Sequence, residues 1–132
     1  MLHHVEIYVS NLDGSHAFWT SLLTQIGYEE VGRWEDGFSL DHESGTYLTF
    51  VQVAAKHAHR DYHRSGIGLN HLAFRVPDRK TVDTLYDFCR ANGVTILYED
   101  RHPFANGGTE YYALFVEDPD RIKVEFVAAS IA

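Results

Sequence analysis

The sequence repeats itself once, and the repeat limits the fold more than any other feature. Leu2-His3-His4-Val5-Glu6-Ile7-Tyr8-Val9 returns as Leu69-Asn70-His71-Leu72-Ala73-Phe74-Arg75-Val76. Each copy places a histidine five residues before a valine, and each is followed by a polar turn, a helix-like stretch and a glycine. His4 and His71 are 67 residues apart and Gly27 and Gly93 are 66 apart, so the register persists through a whole strand-helix unit. Such self-similarity marks an internal duplication. A chain of 132 residues, 45% hydrophobic, has material for one substantial core, so the two halves are expected to share a single domain, 1–132.

Within each copy the periodicity is that of a strand with one apolar side. Val5, Ile7 and Val9 alternate with His4, Glu6 and Tyr8; Leu72, Phe74 and Val76 alternate with His71, Ala73 and Arg75. Near the C-terminus, Ile122, Val124 and Phe126 form an apolar row opposite Lys123, Glu125 and Val127, so Glu125 is placed as the two histidines are. Asn11 or Asp13 is suited to cap a first helix whose inner face uses Phe18, Leu22, Leu23 and Ile26 and which stops at Gly27. Asp78 caps the second, which buries Val82, Leu85, Tyr86 and Cys89 and ends at Gly93. Further strands are expected at 28–33, 38–41, 47–53, 94–98 and 110–117, with Asp118-Pro119-Asp120-Arg121 as the last turn. The pattern is an α+β fold of two βαβββ modules, about 1–53 and 68–128, joined by a polar linker of about 54–67. The irregular stretch 102–108 reads as a loop at a pocket mouth.

Charge and composition exclude several classes. A formal net charge of −8, from 19 acidic and 11 basic residues, with no basic stripe, argues against a nucleic-acid partner. No apolar run approaches the roughly 20 residues that span a bilayer, and the N-terminus lacks a basic region followed by an apolar one, so no membrane partner and a cytoplasmic location are expected. The single cysteine, Cys89, falls in an apolar helical pattern and reads as a core residue rather than a nucleophile.

Chemistry concentrates on His4, His71 and Glu125. A strand histidine ordinarily closes a local hydrogen bond, but two at equivalent points of a repeat, with a glutamate on the same kind of face, point to a metal. Two imidazoles and one carboxylate suit one divalent ion of iron, manganese, zinc, nickel or cobalt, and leave positions open for water or a bidentate oxygen ligand. Glu6, Tyr47, Arg75 and Tyr111 are candidates to line the same pocket, though spacing singles out no catalytic acid or base. His57, His59 and His63 also have ligand-like spacing, but they sit in the irregular linker and are expected to be solvated or substrate-facing.

Together these segments resemble the vicinal oxygen chelate superfamily of glyoxalase I, fosfomycin resistance proteins, bleomycin-binding proteins and extradiol dioxygenases. The resemblance covers essentially the whole chain and rests on residues 2–12, Phe18-Trp19, 68–76 and 111–125. It implies a glyoxalase-like partly closed barrel with a metal on its concave side, held by His4, His71 and Glu125. Thr49 departs from the glyoxalase I pattern. Aligning Thr46-Tyr47-Leu48-Thr49-Phe50-Val51 with Ile122-Lys123-Val124-Glu125-Phe126-Val127 puts Thr49 where such proteins carry a fourth, acidic ligand, so it becomes a pocket residue and a three-ligand site is expected. Arg121 departs too, where a glycine commonly follows Asp-Pro-Asp. The resemblance implies a divalent-metal-dependent enzyme, lyase, transferase or dioxygenase, acting on a small substrate that chelates through adjacent oxygens, in a homodimer. The alternative is a metal-free sequestration protein of the bleomycin-binding kind. A fosfomycin-type transferase would use a more basic anion-binding loop than Lys56, Arg60 and Arg64 provide.

Overall fold

Strand β1 (His4–Val9) buries Ile7 and Val9 and leaves His4, Glu6 and Tyr8 exposed, as its alternation requires. The computed structural model describes residues 1–59 and 61–129, which fall into two units, Met1–Asp61 and Tyr62–Ala132. In the first, β1 is followed by α1 (Leu12–Leu23), β2 (Tyr28–Trp34), β3 (Gly37–His42) and β4 (Tyr47–Gln52). In the second, β5 (His71–Val76) is followed by α2 (Arg79–Ala91), β6 (Thr95–Leu97), β7 (Ala113–Glu117) and β8 (Lys123–Ala128). The fold is α+β, and both units are βαβββ.

Topology repeats with the elements. The sheets run in the order β1-β4-β3-β2 and β5-β8-β7-β6, each with its first and last strands parallel and its other pairs antiparallel. Registers match as well: Glu6 and Ser39 flank Thr49 as Ala73 and Phe115 flank Glu125. Equivalent residues are therefore 67 apart in the first strands and 76 apart in the last.

Each helix covers one face of its own sheet. Asn11 caps α1, its side chain accepting from the Gly14 N–H at 3.0 Å, and Asp78 caps α2, accepting from the Thr81 N–H at 2.8 Å. Gly27 and Gly93 follow the helices with φ of 97° and 69°, a conformation that a Cβ disfavours. The buried stripe of α1 is Ser15, Trp19, Leu22 and Leu23. Trp19, absent from the expected inner face, is at its centre because positions i, i+4, i+7 and i+8 share one side of a helix, while Phe18 is half-buried and meets Trp19 edge-on. The indole lies 4.8 Å from the Phe50 ring, which stacks on Phe38. In α2, Val82, Leu85 and Cys89 are buried, and burial pushes the Cys89 thiol up to about 12, as suits an inert core residue. Among the described residues no helix is long and apolar enough to cross a membrane.

Strands β6 and β7 are markedly shorter than expected, and β4 ends one residue early, at Gln52. Strand β7 begins at Ala113 rather than 110, because Tyr112 bonds Asp83 on α2 and Arg79 donates to the Thr109 carbonyl, which ties the preceding loop to the helix. Strand β6 keeps only Thr95–Leu97, since Tyr98 turns into the left-handed region at φ 56°. Arg121 also adopts that region, at φ 67°, which accounts for the glycine commonly found there.

Two outcomes follow from this packing. Trp19→Ala should cost about 3–5 kcal/mol, read as a lowered midpoint of chemical unfolding. Arg121→Gly should raise stability by about 1 kcal/mol, because it relieves a left-handed non-glycine residue and removes only the 3.6 Å contact of a largely exposed guanidinium with Glu117, which keeps its shorter bond to Arg64.

Candidate metal centre

In the second unit, His71, Glu125 and Tyr111 meet. His71 opens β5, on the face of the strand that also carries Ala73 and Arg75. Its Nδ1 lies 2.8 Å from the Asn70 side-chain oxygen. The Asn70 amide nitrogen is turned to the Arg64 carbonyl at 3.4 Å, which leaves the amide oxygen to accept the Nδ1 proton. Nε2 is left 3.2 Å from Glu125 Oε1. Glu125 is only 2% exposed, and its Oε2 accepts from the Tyr111 hydroxyl at 2.5 Å.

A buried carboxylate is costly unless its lone pairs are used. Tyr111 uses one oxygen. The other faces His71 Nε2, which satisfies it either by donating a proton or by sharing a cation with it. The hydrogen bond to Glu125, with burial and the nearby charge, pushes the Tyr111 phenol up to about 12, so it stays a neutral donor near pH 7.

The first unit carries the third expected ligand. His4 is exposed at the start of β1, and its ring stacks on Tyr47, its register partner on β4, at 4.7 Å and 3° between planes. Its Nδ1 is 2.9 Å from Nδ1 of His3, which leaves Nε2 uncommitted in that bond. His3 precedes the strand, and its ring meets that of His4 edge-on at 5.1 Å. Thr49 is 6% exposed and hydrogen-bonds Ser39 Oγ at 2.7 Å, so a pair of hydroxyls stands in the first unit where the second has its buried glutamate. Glu6, beside Thr49 in register, is exposed on the same face as His4, as Arg75 is on that of His71. Among the described residues, no three or more His, Cys, Asp or Glu side chains gather as a ready metal cluster.

The remaining histidines take local partners. His16 lies 2.5 Å from Glu30, His42 bonds Ser44, His63 accepts from the Ser65 N–H, and His102 stacks on Tyr86 at 4.3 Å, where burial lowers its pKa. His57 and His59 are exposed in and just after a short 3₁₀ turn. Of the three basic residues considered for an anion loop, Lys56 is exposed, Arg60 lies outside the described residues, and Arg64 is committed to Glu117 Oε2 at 2.6 Å and the Arg121 carbonyl at 3.1 Å. Asn70 and Arg64 escape sequence reasoning as supports of the site; the usable signal is that Asn70 precedes His71 as His3 precedes His4.

Comparison with known proteins agrees with this architecture. Residues 1–126 match the sequence profile of the Glyoxalase/Bleomycin resistance protein/Dioxygenase superfamily, and the chain belongs to that superfamily. It is 46% identical over 129 residues to the uncharacterized protein YqjT of Bacillus subtilis (strain 168), covering 98% of this chain and 99% of that one. The crystal structure of a putative glyoxalase from Bacillus halodurans is 51% identical with a TM-score of 0.94, over 98% of this chain and 96% of that one. A mutant of the fosfomycin resistance protein FosX from Listeria monocytogenes, complexed with Mn(II) and 1S,2S-dihydroxypropylphosphonic acid, is 20% identical with a TM-score of 0.72, over 99% of this chain and 93% of that one. At that identity the likeness is one of fold.

A folded-state phenol held near 12 favours the protonated form, so its contribution to stability is whole below the ordinary value of 10 and is lost as pH rises towards 12. Tyr111→Phe should therefore be less stable than the wild type below pH 10, with the gap closing between pH 10 and 12 in denaturant titrations. A gap unchanged across that window would rule out the bond to Glu125 as its source.

Proposed function

We propose that the chain is a divalent-metal-dependent enzyme of its superfamily, acting on a small molecule that binds through two adjacent oxygens. The observation that carries this reading is the facing of His71 Nε2 and Glu125 Oε1 at 3.2 Å, with the far atom of each group already hydrogen-bonded by Asn70 and Tyr111. That arrangement leaves the inner atoms for a cation. In this reading His4 is the third ligand and the protein works as a homodimer. The donor set of two imidazoles and one carboxylate fits manganese, iron, cobalt, nickel or zinc. A cation there would supply Lewis-acid stabilisation of charge developing on the substrate oxygens.

The chain's own residues divide the remaining work. Tyr111 stays protonated and holds the Glu125 carboxylate in one rotamer. Thr49 and Ser39 offer a neutral hydroxyl pair in place of a fourth acidic ligand, which keeps the ligand count at three. Glu6 is the carboxylate on that face available to accept a proton, Tyr47 stacks on His4, and Arg75 stands further along the face of β5 as pocket wall. The FosX complex, which pairs Mn(II) with a dihydroxypropylphosphonic acid, is a precedent within the fold for metal and oxygen-rich ligand together.

The test is metal content by elemental mass spectrometry on untagged protein after equal exposure to iron, manganese, zinc, nickel and cobalt. About one equivalent of one metal per complete site is expected in the wild type, and a loss of most of it in His71→Ala. Wild type with no specific metal would sink the enzyme reading and favour a metal-free binding protein.

A further inference from the structure

We infer that Asn70 and His3, which precede the two candidate ligand histidines at equivalent points of the repeat, are positioning residues that engage Nδ1 of each ring and commit Nε2 to the metal. This rests on the proposed metal site and deepens it by assigning what orients its ligands. A neutral imidazole has one N–H and one lone pair, and a ring that donates from Nδ1 must present its lone pair from Nε2. In the second unit, Asn70 Oδ1 meets His71 Nδ1 at 2.8 Å. In the first, His3 Nδ1 meets His4 Nδ1 at 2.9 Å. The side chains differ: the Asn70 amide oxygen can only accept, whereas His3 Nδ1 accepts from His4 Nδ1 in the tautomer of His3 that carries its proton on Nε2. The coincidence occurs one residue before the ligand in both copies, which a chance surface contact would not be expected to reproduce.

The Asn70 amide is itself held. Its nitrogen faces the Arg64 carbonyl at 3.4 Å, and Arg64 reaches Glu117 at the end of β7 and the Arg121 carbonyl beyond it, through Nη1 contacts of 2.6 and 3.1 Å. Both Arg64 and Glu117 side chains are less than one-fifth exposed, at 18% and 15%, so this pair is better sheltered than a surface ion pair. The segment before β5 is thereby clasped to the β7–β8 turn of its own unit. Flipping the amide would set its oxygen against the Arg64 carbonyl and lose that contact. The amide is thus poled, and it poles the ring.

Mn(II) alone, titrated into metal-stripped full-length protein and followed by the EPR signal of the free ion, tests this. One tight site is expected in the wild type, a roughly 10–100-fold weaker one in Asn70→Ala, and near wild-type affinity in Asn70→Asp, which keeps an acceptor oxygen. His3→Asn, which borrows the residue of the other copy, should bind more tightly than His3→Ala. Independently of any variant, long-range proton–nitrogen spectra of Zn(II)-loaded wild type should show the proton on Nδ1 of His71 and His4 and the metal on Nε2. If Asn70→Ala binds Mn(II) like the wild type while His71→Ala does not, or if zinc sits on Nδ1, the positioning role is wrong although the metal site stands. If the wild type binds neither ion, the metal reading fails, and this inference fails with it.

Discussion

Because the first strand of each unit lies parallel to the last, the chain cannot close its sheet by hairpins alone; it must cross over through a helix and return through two more strands. That parallel ladder sets the register on which the site depends. It places His4 beside Tyr47 and Glu6 beside Thr49 in one unit, and Ala73 beside Glu125 in the other. A slip by one residue would turn every donor towards the helix and every core residue towards the open face. The apolar rows packed under α1 and α2 therefore hold His4, His71 and Glu125 at their positions by making any other register expensive.

Glu125 is the local point of tension. Its flanking residues Val124 and Phe126 are fully buried beneath the helix, so the strand cannot shift to hydrate the carboxylate without losing core. Tyr111 and His71 reach it instead, one from a loop and one from the neighbouring edge strand. The first unit solves the same position with neutral chemistry, Thr49 against Ser39, which needs no charged partner. Two copies of one frame thus differ in polarity at the same register position.

Much of this was legible from residue order. The duplication, the two βαβββ modules, both caps and the faces of β1, β5 and β8 follow from short-range periodicity, which a single sequence carries in full. Trp19 is not legible in the same way, because Phe18 and Trp19 are equally plausible inner residues until the stripe through Ser15 and Leu22 settles the phase. The start of β7 was overrun because Tyr111 and Tyr112 look like strand residues, whereas their hydroxyls are spent on Glu125 and Asp83. The roles of Asn70 and Arg64 depend on side chains meeting across sequence gaps, and periodicity says nothing about such meetings.

The change of offset, from 67 residues between the first strands to 76 between the last, records where the copies diverged. The spacing is still 66 at Gly27 and Gly93, so the added length lies after the second helix and before β7. The first unit crosses that interval with β2 and the tight turn from Trp34 to Gly37; the second uses the short β6 and a long connection, 98–112, that carries Tyr111. The two copies of the frame therefore differ in the length of one connection while their ladders match. New polar groups can enter such a site from a loop, where insertion is tolerated, while the strands keep His71 and Glu125 at the register positions that His4 and Thr49 hold in the other copy.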